Sequence, residues 1–174
     1  MRGLIHIYTG DGKGKTTAGT GLALRFAGNG GKVLYSQFLK NDDSGELSIL
    51  SKLEQVTYLP SGQSFGFTFQ MTEQVRQKAA VHYTSYFETI LQEISQKDYG
   101  LLILDEILAA DNHDLIPHER LLSFLAHKPD NLEVVLTGRN PSDDLMELAD
   151  YISEIKKIKH PFDQGIPARK GIEQ

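Results

Sequence analysis

The sequence predicts a three-layer α/β fold, with a mostly parallel sheet and helices on both of its faces. Short apolar segments of strand length alternate with longer segments in which apolar residues recur every three or four positions. Such alternation is typical of a parallel sheet that is covered on both sides. A glycine-rich turn at residues 10–17 joins the first predicted strand to the first predicted helix. We therefore expect ligands at the edge of the sheet where the strands end.

The predicted elements can be given in chain order. Six segments have the composition of strands: residues 4–9, 32–38, 56–59, 101–104, 133–137 and 151–158. Helices are expected at residues 17–26, ended by the glycines of residues 28–31, and at residues 72–96. Pro117 opens a further helix, and Asn140 with Pro141 predicts the N-cap and first residue of the last one.

Composition restricts the class of protein. With 174 residues, 40% of them hydrophobic and 24% charged, the chain fits one domain over residues 1–174. The net charge of −5, without any block of like charge, argues against nucleic-acid binding. The absence of cysteine excludes disulfides and thiolate metal sites. No apolar run approaches a membrane span of about 18 residues, so we expect a cytoplasmic protein that does not enter the membrane.

The glycine-rich turn has the character of a phosphate cradle. Residues 10–17 read Gly-Asp-Gly-Lys-Gly-Lys-Thr-Thr, which departs from the G-x-x-x-x-G-K-[ST] pattern because Thr9 replaces its first glycine. A strand, such a turn and a helix N-terminus direct several backbone N–H groups at one point. Lys15 would reach the phosphates, and the Thr16 hydroxyl would ligate Mg²⁺. The alternative is a glycine-rich turn whose lysines are only solvated.

A second motif is the fully apolar segment 101–104, which is followed by Asp105 and Glu106. P-loop proteins present a carboxylate to Mg²⁺ opposite the threonine of the loop in this way. In an extended segment the two side chains point to opposite faces, so we expect only one of them to touch the metal. The sequence leaves open which one does. The alternative is an ordinary buried strand that is capped by solvated acids.

Three phenylalanines stand at alternate positions among glycine and serine: Phe65, Phe67 and Phe69. One interpretation is an edge strand or a loop that packs on the core. The other is a mobile aromatic loop that covers a flat apolar ligand. The residues alone leave both open.

Two further residues follow predicted strands. Arg139 lies just past the strand at 133–137, on the rim where phosphates are expected, although a plain surface arginine is the alternative. His160 precedes a proline, which is typical of a structural histidine. No Ser/His/Asp arrangement stands out that would supply a nucleophile.

Several blocks of the sequence match one known family in order and spacing, from residue 3 to the end of the chain. They are residues 8–17, 37–38, 104–106, 135–140, 159–166 and 170–173. On these blocks the chain resembles the P-loop ATP:corrinoid adenosyltransferases, the cob(I)alamin adenosyltransferases of the CobA and BtuR type. The shortened cradle is the form that this family has.

The resemblance implies a P-loop NTPase-like fold and an alkyl-group transferase. The 5′-deoxyadenosyl group of ATP would pass to the Co(I) of cob(I)alamin or cob(I)yrinic acid a,c-diamide, with release of triphosphate, in adenosylcobalamin synthesis or salvage. Co(I) is itself a strong nucleophile. The protein therefore has only to hold ATP with C5′ facing cobalt and to stabilise the departing charge.

The resemblance also assigns residues and partners. ATP binding falls to the cradle residues Gly10, Asp11, Gly12, Lys13, Gly14, Lys15, Thr16 and Thr17. Catalysis falls to Lys13, Lys15 and Arg139, and binding of Mg²⁺ or Mn²⁺ to Thr16, Asp105 and Glu106. Phe67 and Phe69 would occupy the lower face of the corrinoid, with Phe69 standing where many members carry Trp. A homodimer and an electron donor such as a flavoprotein are implied as well.

Two other classes of function stay open from the sequence. A small P-loop phosphotransferase or ATPase would release ADP and not triphosphate. A regulator on the same fold would bind ATP or a corrinoid without turnover.

Overall fold

Six parallel strands form one sheet in the computed structural model, which describes residues 2–66 and 68–173. The strands are β1 (Ile5–Thr9), β2 (Val33–Gln37), β3 (Val56–Leu59), β4 (Leu101–Asp105), β5 (Glu133–Thr137) and β6 (Tyr151–Glu154). Their order across the sheet is β3-β2-β4-β5-β1-β6, and every neighbouring pair is parallel. The predicted α/β fold class is confirmed. Only β6 departs clearly from its prediction, because it ends at residue 154 and not at 158.

Within the described residues, six helices connect the strands. They are α1 (Lys15–Gly28), α2 (Leu47–Leu50), α3 (Glu73–Gln96), α4 (Ile107–Asn112), α5 (His118–Ala126) and α6 (Asp143–Leu148). Short 3-10 turns occupy Thr68–Gln70 and Pro161–Gln164. No helix in the described part of the chain combines the length and apolarity needed to cross a bilayer.

The start of α6 corrects the sequence prediction. The N-cap is Ser142, whose hydroxyl accepts a hydrogen bond from the Leu145 N–H at 3.3 Å. Asn140 lies outside the helix with a left-handed φ of 51°. Asn and Ser are both favourable N-cap residues, and the helix begins after the second of them.

Alternate residues of the strands face opposite sides of the sheet, as strand geometry requires. One side of the sheet packs on α3, α4 and α5 through residues that include Leu34, Leu102, Leu104, Val134 and Leu136. The other side packs on α1 and α2 through residues that include Val33, Tyr35, Leu101, Ile103 and Val135. All the strands are parallel, so their carboxyl ends lie at one edge and bring the segments that follow them together.

The aromatic segment contains no strand between residues 60 and 66, so the edge-strand interpretation is wrong for that part. The Phe65 ring packs against His82 and Tyr83 of α3, with centroid distances of 5.4 and 5.7 Å. Phe67 lies outside the described residues, and so does the side chain of Phe69. Their assignment to a corrinoid therefore remains a prediction.

Candidate nucleotide-binding site

The loop between β1 and α1 closes around the ammonium group of Lys15. Nζ donates to the carbonyl oxygens of Gly10 and Gly12 at 2.8 and 2.9 Å. Burial lowers the pKa of Lys15, and the positive charge of Arg139 lowers it further. Gly14, with a φ of 128°, is the N-cap of α1 and has no side chain to cap the helix. The first N–H groups of α1 are therefore left for a ligand.

The loop glycines are required by the chain that follows β6. A Cβ at Gly10 or at Gly12 would lie 2.4 or 2.7 Å from the carbonyl oxygen of Ile155. The Gly12 N–H donates to that oxygen at 2.8 Å, and the Lys157 N–H donates to Asp11 Oδ1 at 2.9 Å. This last bond lowers the pKa of Asp11. Beyond the strand end at residue 154, the Ile155 N–H still binds the Thr9 carbonyl of β1 at 2.8 Å, and the backbone that follows binds the loop.

Asp105 is the acid that contacts the cradle threonine. The side chain is fully buried at the end of β4, where Oδ1 accepts a 2.6 Å bond from the Thr137 hydroxyl. Oδ2 accepts a 3.3 Å bond from the Thr16 hydroxyl. The structure thus joins the ends of β4 and β5 to the start of α1 through one carboxylate.

Glu106 faces the same region from the next position. The expectation of opposite faces assumed extended backbone, but Glu106 has a φ of 60° and a ψ of 19°. This left-handed turn, held by a bond from the Glu106 N–H to the Thr137 hydroxyl at 2.9 Å, brings the side chain to the cleft. Burial raises the pKa of Glu106, and the charge of Asp105 raises it further. Both acids thus lie next to the cradle, Asp105 through its bond to Thr16 and Glu106 in the lining of the cleft.

The cradle forms one wall of a cleft at this edge of the sheet. The lining residues from the cradle are 11–17, joined by Glu106 and by the exposed Arg139. Gly10 and Asp105 do not line the cleft, because they support Lys15 and Thr16 from behind. The structure brings the other predicted residues of the cradle and the rim together along this cleft.

The opposite wall of the cleft comes from the C-terminal tail, which we define as residues 159–173. Its lining residues are His160, Pro161, Phe162, Ile166, Pro167, Ala168, Ile172 and Glu173. His160 has the structural role predicted for it, since Nδ1 accepts from the Phe162 N–H at 3.2 Å and caps the turn Pro161–Gln164. Arg169 holds the Glu173 carboxylate with two side-chain bonds of 2.9 and 3.2 Å and lowers the pKa of Glu173 to about 2.

Lys40 is a site residue that the sequence reasoning missed. Its Nζ donates to Thr16 Oγ1 at 2.9 Å and to Asp105 Oδ2 at 2.6 Å. The available signal was position, since Lys40 follows β2 and β2 pairs with β4. A cation just past that strand end had to lie near the acids that follow β4.

Comparison with known protein families shows to which family the chain belongs. A family model described as "ATP:corrinoid adenosyltransferase BtuR/CobO/CobP" matches residues 1–174. The chain belongs to this family. It is accordingly an enzyme that adenosylates corrinoids with ATP, and the predicted family and activity are confirmed.

Curated relatives of the adenosyltransferase agree with the family match. The corrinoid adenosyltransferase of Escherichia coli (strain K12) is 34% identical over 178 residues, which cover 99% of this chain and 86% of that protein. Its counterpart in Pseudomonas aeruginosa is 34% identical over 174 residues, covering 99% and 84%. The corrinoid adenosyltransferase CobA of Salmonella typhimurium is 33% identical over 178 residues, covering 99% and 86%.

Solved structures show where else the fold occurs. EssC (ATPases 2 and 3) from Geobacillus thermodenitrificans superposes with a TM-score of 0.53 at 16% identity, over 97% of this chain and 35% of that one. The cytoplasmic domain of the type VII secretion ATPase EccC from Thermomonospora curvata gives 0.51 at 14% identity, over 96% and 22%. The adenosyltransferase thus spans about a third or less of these larger chains, and the likeness concerns the P-loop ATPase fold alone.

Proposed function

We propose that the enzyme transfers the 5′-deoxyadenosyl group of ATP to the Co(I) of a corrinoid, cob(I)alamin or cob(I)yrinic acid a,c-diamide, in adenosylcobalamin synthesis or salvage. The cobalt–carbon bond forms with the electron pair of Co(I), while the C5′–O bond breaks and its electron pair leaves with triphosphate. The family match over residues 1–174 carries this proposal. The cradle agrees with it, because it gathers donors for a polyphosphate without any built-in nucleophile.

The triphosphate is held by the cradle residues from Gly10 to Thr17 and by two lysines within them. Lys15 lies at the centre of the loop, and the exposed Lys13 lines the cleft beside it. Arg139 approaches from the rim after β5. Fixed cations and the N-terminus of α1 stabilise the charge that develops on the leaving group, and they need no reorganisation during the reaction.

A divalent cation, Mg²⁺ or Mn²⁺, is proposed at Thr16, Asp105 and Glu106. A cation already fits between two of these residues, since Lys40 Nζ lies 2.9 Å from Thr16 Oγ1 and 2.6 Å from Asp105 Oδ2. Within residues 2–66 and 68–173, no group of three or more His, Cys, Asp or Glu side chains could hold a metal ion. Mg²⁺ in nucleotide sites typically takes one or two carboxylates and completes its ligands with phosphates and water. When bound, the metal would neutralise charge on the departing triphosphate.

The corrinoid is proposed to lie against Phe67 and Phe69, whose rings would keep its lower face dry and displace the axial base. The described neighbours support an anchored segment, because the Thr68 hydroxyl and His113 Nε2 are 3.0 Å apart. His113 is the C-cap of α4, the helix that Glu106 begins. This contact supports a segment that is attached to the C-terminal end of α4, whose N-cap is Glu106.

Two further features of the proposal, a homodimer and an electron donor, rest on the resemblance to the family, and the cytoplasmic location rests on the sequence. The enzyme is proposed to act as a homodimer in the cytoplasm. A flavoprotein or a similar electron donor would supply the Co(I) state.

The decisive experiment mixes the enzyme with Mg-ATP and chemically reduced cobalamin. We expect a light-sensitive Co–C product and one triphosphate for each product formed. ADP in place of triphosphate would identify a phosphotransferase or ATPase, and binding of ATP without either product would identify a regulator.

The metal assignment has its own test. Thr16→Val, Asp105→Asn and Glu106→Gln preserve size but remove one ligand each. The Mg²⁺ requirement should rise most, roughly 10–100-fold, for the direct ligands. Activity that does not depend on a divalent metal would contradict the assignment.

The corrinoid assignment is tested by the EPR spectrum of Co(II)alamin bound with Mg-ATP. The wild type should show a four-coordinate fraction that Phe69→Trp enlarges. Phe67→Ala and Phe69→Ala should diminish it, because a methyl group leaves empty about 150–250 Å² of surface that a ring covers. A purely five-coordinate wild type with unaffected alanine variants would limit the segment to packing.

A further inference from the structure

Lys40 occupies an unusual position for a lysine that follows a strand end. Its ammonium group contacts both Thr16 Oγ1 and Asp105 Oδ2, at 2.9 and 2.6 Å. These are oxygens proposed above as metal ligands. The Lys40 side chain is 27% exposed, whereas that of Asp105 is 0% exposed.

Asp105 shows why a cation is needed there. Besides Lys40, Oδ2 accepts from the Thr16 hydroxyl and from Gln37 Nε2, each at 3.3 Å, and Oδ1 accepts from Thr137 at 2.6 Å. These three donors are neutral, and Lys40 brings the full positive charge in contact with the carboxylate. A buried carboxylate without such a charge is strongly unfavourable, so the ammonium balances it while no metal is bound.

The backbone before Lys40 is shaped to direct it into the site. Leu39 has a φ of 57°, in the left-handed region that a bulky side chain seldom adopts. The Phe38 N–H donates to the Asp105 carbonyl at 2.8 Å, which fastens this turn to the end of β4. Strained backbone of this kind is found at switch segments and active sites.

We propose that Lys40 is an internal counter-ion that holds the metal position until the metal arrives with the nucleotide. This inference rests on the proposed metal site, and it adds an order of binding. Free metal is excluded, because its entry would place a second cation beside the ammonium group and leave that group without a partner. A metal that enters with ATP brings phosphate oxygens, which can pair with the displaced ammonium. The flexible four-carbon stem of lysine, partly exposed here, permits this move.

The test measures Mn²⁺ binding by EPR with no nucleotide present, in the wild type and in Lys40→Met, Lys40→Gln and Lys40→Arg. Carboxylate and hydroxyl oxygens suit Mn²⁺, so it is a fair probe of the site. Loss of the positive charge should tighten nucleotide-free Mn²⁺ binding roughly 10–100-fold in the Met and Gln variants. The Arg variant keeps the charge and should bind Mn²⁺ as weakly as the wild type.

Thermal unfolding supplies a second readout and a matched control. Lys40→Met should lower the Tm of the metal-free protein, and Mn²⁺ alone should raise it again. Lys97→Met removes an ion pair of nearly the same length, 2.7 Å to Glu93, from a surface site where the lysine is 60% exposed. That variant should show neither effect, since exposed pairs contribute little to stability. Lys40→Gln keeps the test valid if the Met variant does not fold.

The outcomes separate this inference from the metal assignment. If the wild type binds Mn²⁺ with ATP but the Met and Gln variants gain no nucleotide-free binding, the counter-ion role is wrong and the metal site stands. Equal nucleotide-free Mn²⁺ binding in the wild type and all variants would also overturn it. If no form binds Mn²⁺ even with ATP, the metal assignment and the counter-ion role both fail.

Discussion

Lys15 holds the cradle in shape before any ligand arrives. Its Nζ donates to two carbonyl oxygens of its own loop, those of Gly10 and Gly12, at 2.8 and 2.9 Å. The ammonium group carries three N–H donors, so one remains for a phosphate oxygen while two bind the loop. The lysine that organises the loop is therefore also the one expected to neutralise the leaving group.

Lys15→Ala should lower turnover ~10²–10³-fold, because it removes a preorganised charge from the departing triphosphate. The fold should survive with a cost of about 1 kcal/mol, the usual size of such hydrogen bonds. Single-turnover adenosylation and a melting curve measure the two effects. Lys128→Ala is the matched control, since Lys128 Nζ also donates to a carbonyl, that of Gly3 at 2.7 Å, but does not line the cleft. Near-normal adenosylation by a folded Lys15→Ala protein would contradict the cradle assignment.

Glu106 predicts a pH dependence of stability. Burial and the neighbouring Asp105 raise its pKa above the ordinary 4.5 of the unfolded chain. A carboxyl group with a raised pKa stabilises the folded state below its unfolded pKa, and this contribution is lost as the pH rises through the folded pKa. Glu106→Gln should therefore unfold at a higher Tm than the wild type at pH 7–8.

The Tm difference between Glu106→Gln and the wild type should shrink as the pH falls towards 4.5. The Glu106 carboxyl group then becomes protonated and neutral, like the glutamine amide that replaces it. Melting curves between pH 4.5 and 8 measure this difference. Asp105→Asn provides a contrast, because it removes a carboxylate that three hydroxyl and amide donors and one ammonium stabilise. A Tm difference for Glu106→Gln that is independent of pH would show that ionisation of Glu106 does not destabilise the folded state.

At the scale of elements, the cradle and β6 depend on each other. The Gly12 N–H donates to the Ile155 carbonyl at 2.8 Å, and the backbone after β6 passes so close that a Cβ at Gly12 would lie 2.7 Å from that oxygen. The sequence predicted a strand to residue 158. The observed strand ends at residue 154: the Ile155 N–H still binds the Thr9 carbonyl of β1 at 2.8 Å, but the Ile155 carbonyl binds the loop.

Gly12→Ala should disrupt the contact between the cradle and the backbone that follows β6. The φ of Gly12 is not in the left-handed region, so the substitution acts through the close contact alone. We expect a loss of about 1–3 kcal/mol, or roughly 2–4 °C in Tm for each kcal/mol. Gly21→Ala within α1 is the control, because its Cβ would meet nothing within 4 Å. That variant should gain about 0.4–1 kcal/mol, and a similar loss in both variants would argue against the proposed contact.

At the scale of the whole molecule, the tail completes the cleft without belonging to the core. Residues 159–173 are all at least partly exposed, and Phe162 is 72% exposed although it lines the cleft. A segment held by so few buried contacts should contribute more to ligand binding than to folding.

Removal of residues 159–174 should leave the Tm of the ligand-free protein nearly unchanged. Affinity for Mg-ATP should fall tenfold or more, which corresponds to about 1.4 kcal/mol of lost contact. The rise in Tm on adding saturating Mg-ATP should shrink accordingly. Calorimetric titration of the truncated and full-length chains measures the change. Equal affinity would show that the tail is not a wall of the nucleotide site, and Phe162→Ser tests the same wall with a single side chain.

Strand and helix patterns, the cradle and the acid pair could all be predicted from local sequence. Period-two and period-3.6 patterns are local properties, so β3 and β5 were predicted to the residue and the fold class followed. The cradle and its family were recognisable because the chemistry of phosphate binding requires particular residues at fixed spacing.

Contacts between distant segments were decided only by the tertiary structure. The left-handed turn at Glu106, which brings two adjacent acids to one side, depends on the Thr137 hydroxyl of another strand. Lys40 reaches Thr16 and Asp105 because β2 pairs with β4 and both strands end at one edge. Sequence patterns depend on residues that are close together in the chain. The register of a parallel sheet decides which of them meet, so the contact of Lys40 with Asp105 and the wall formed by the tail became visible only in the folded chain.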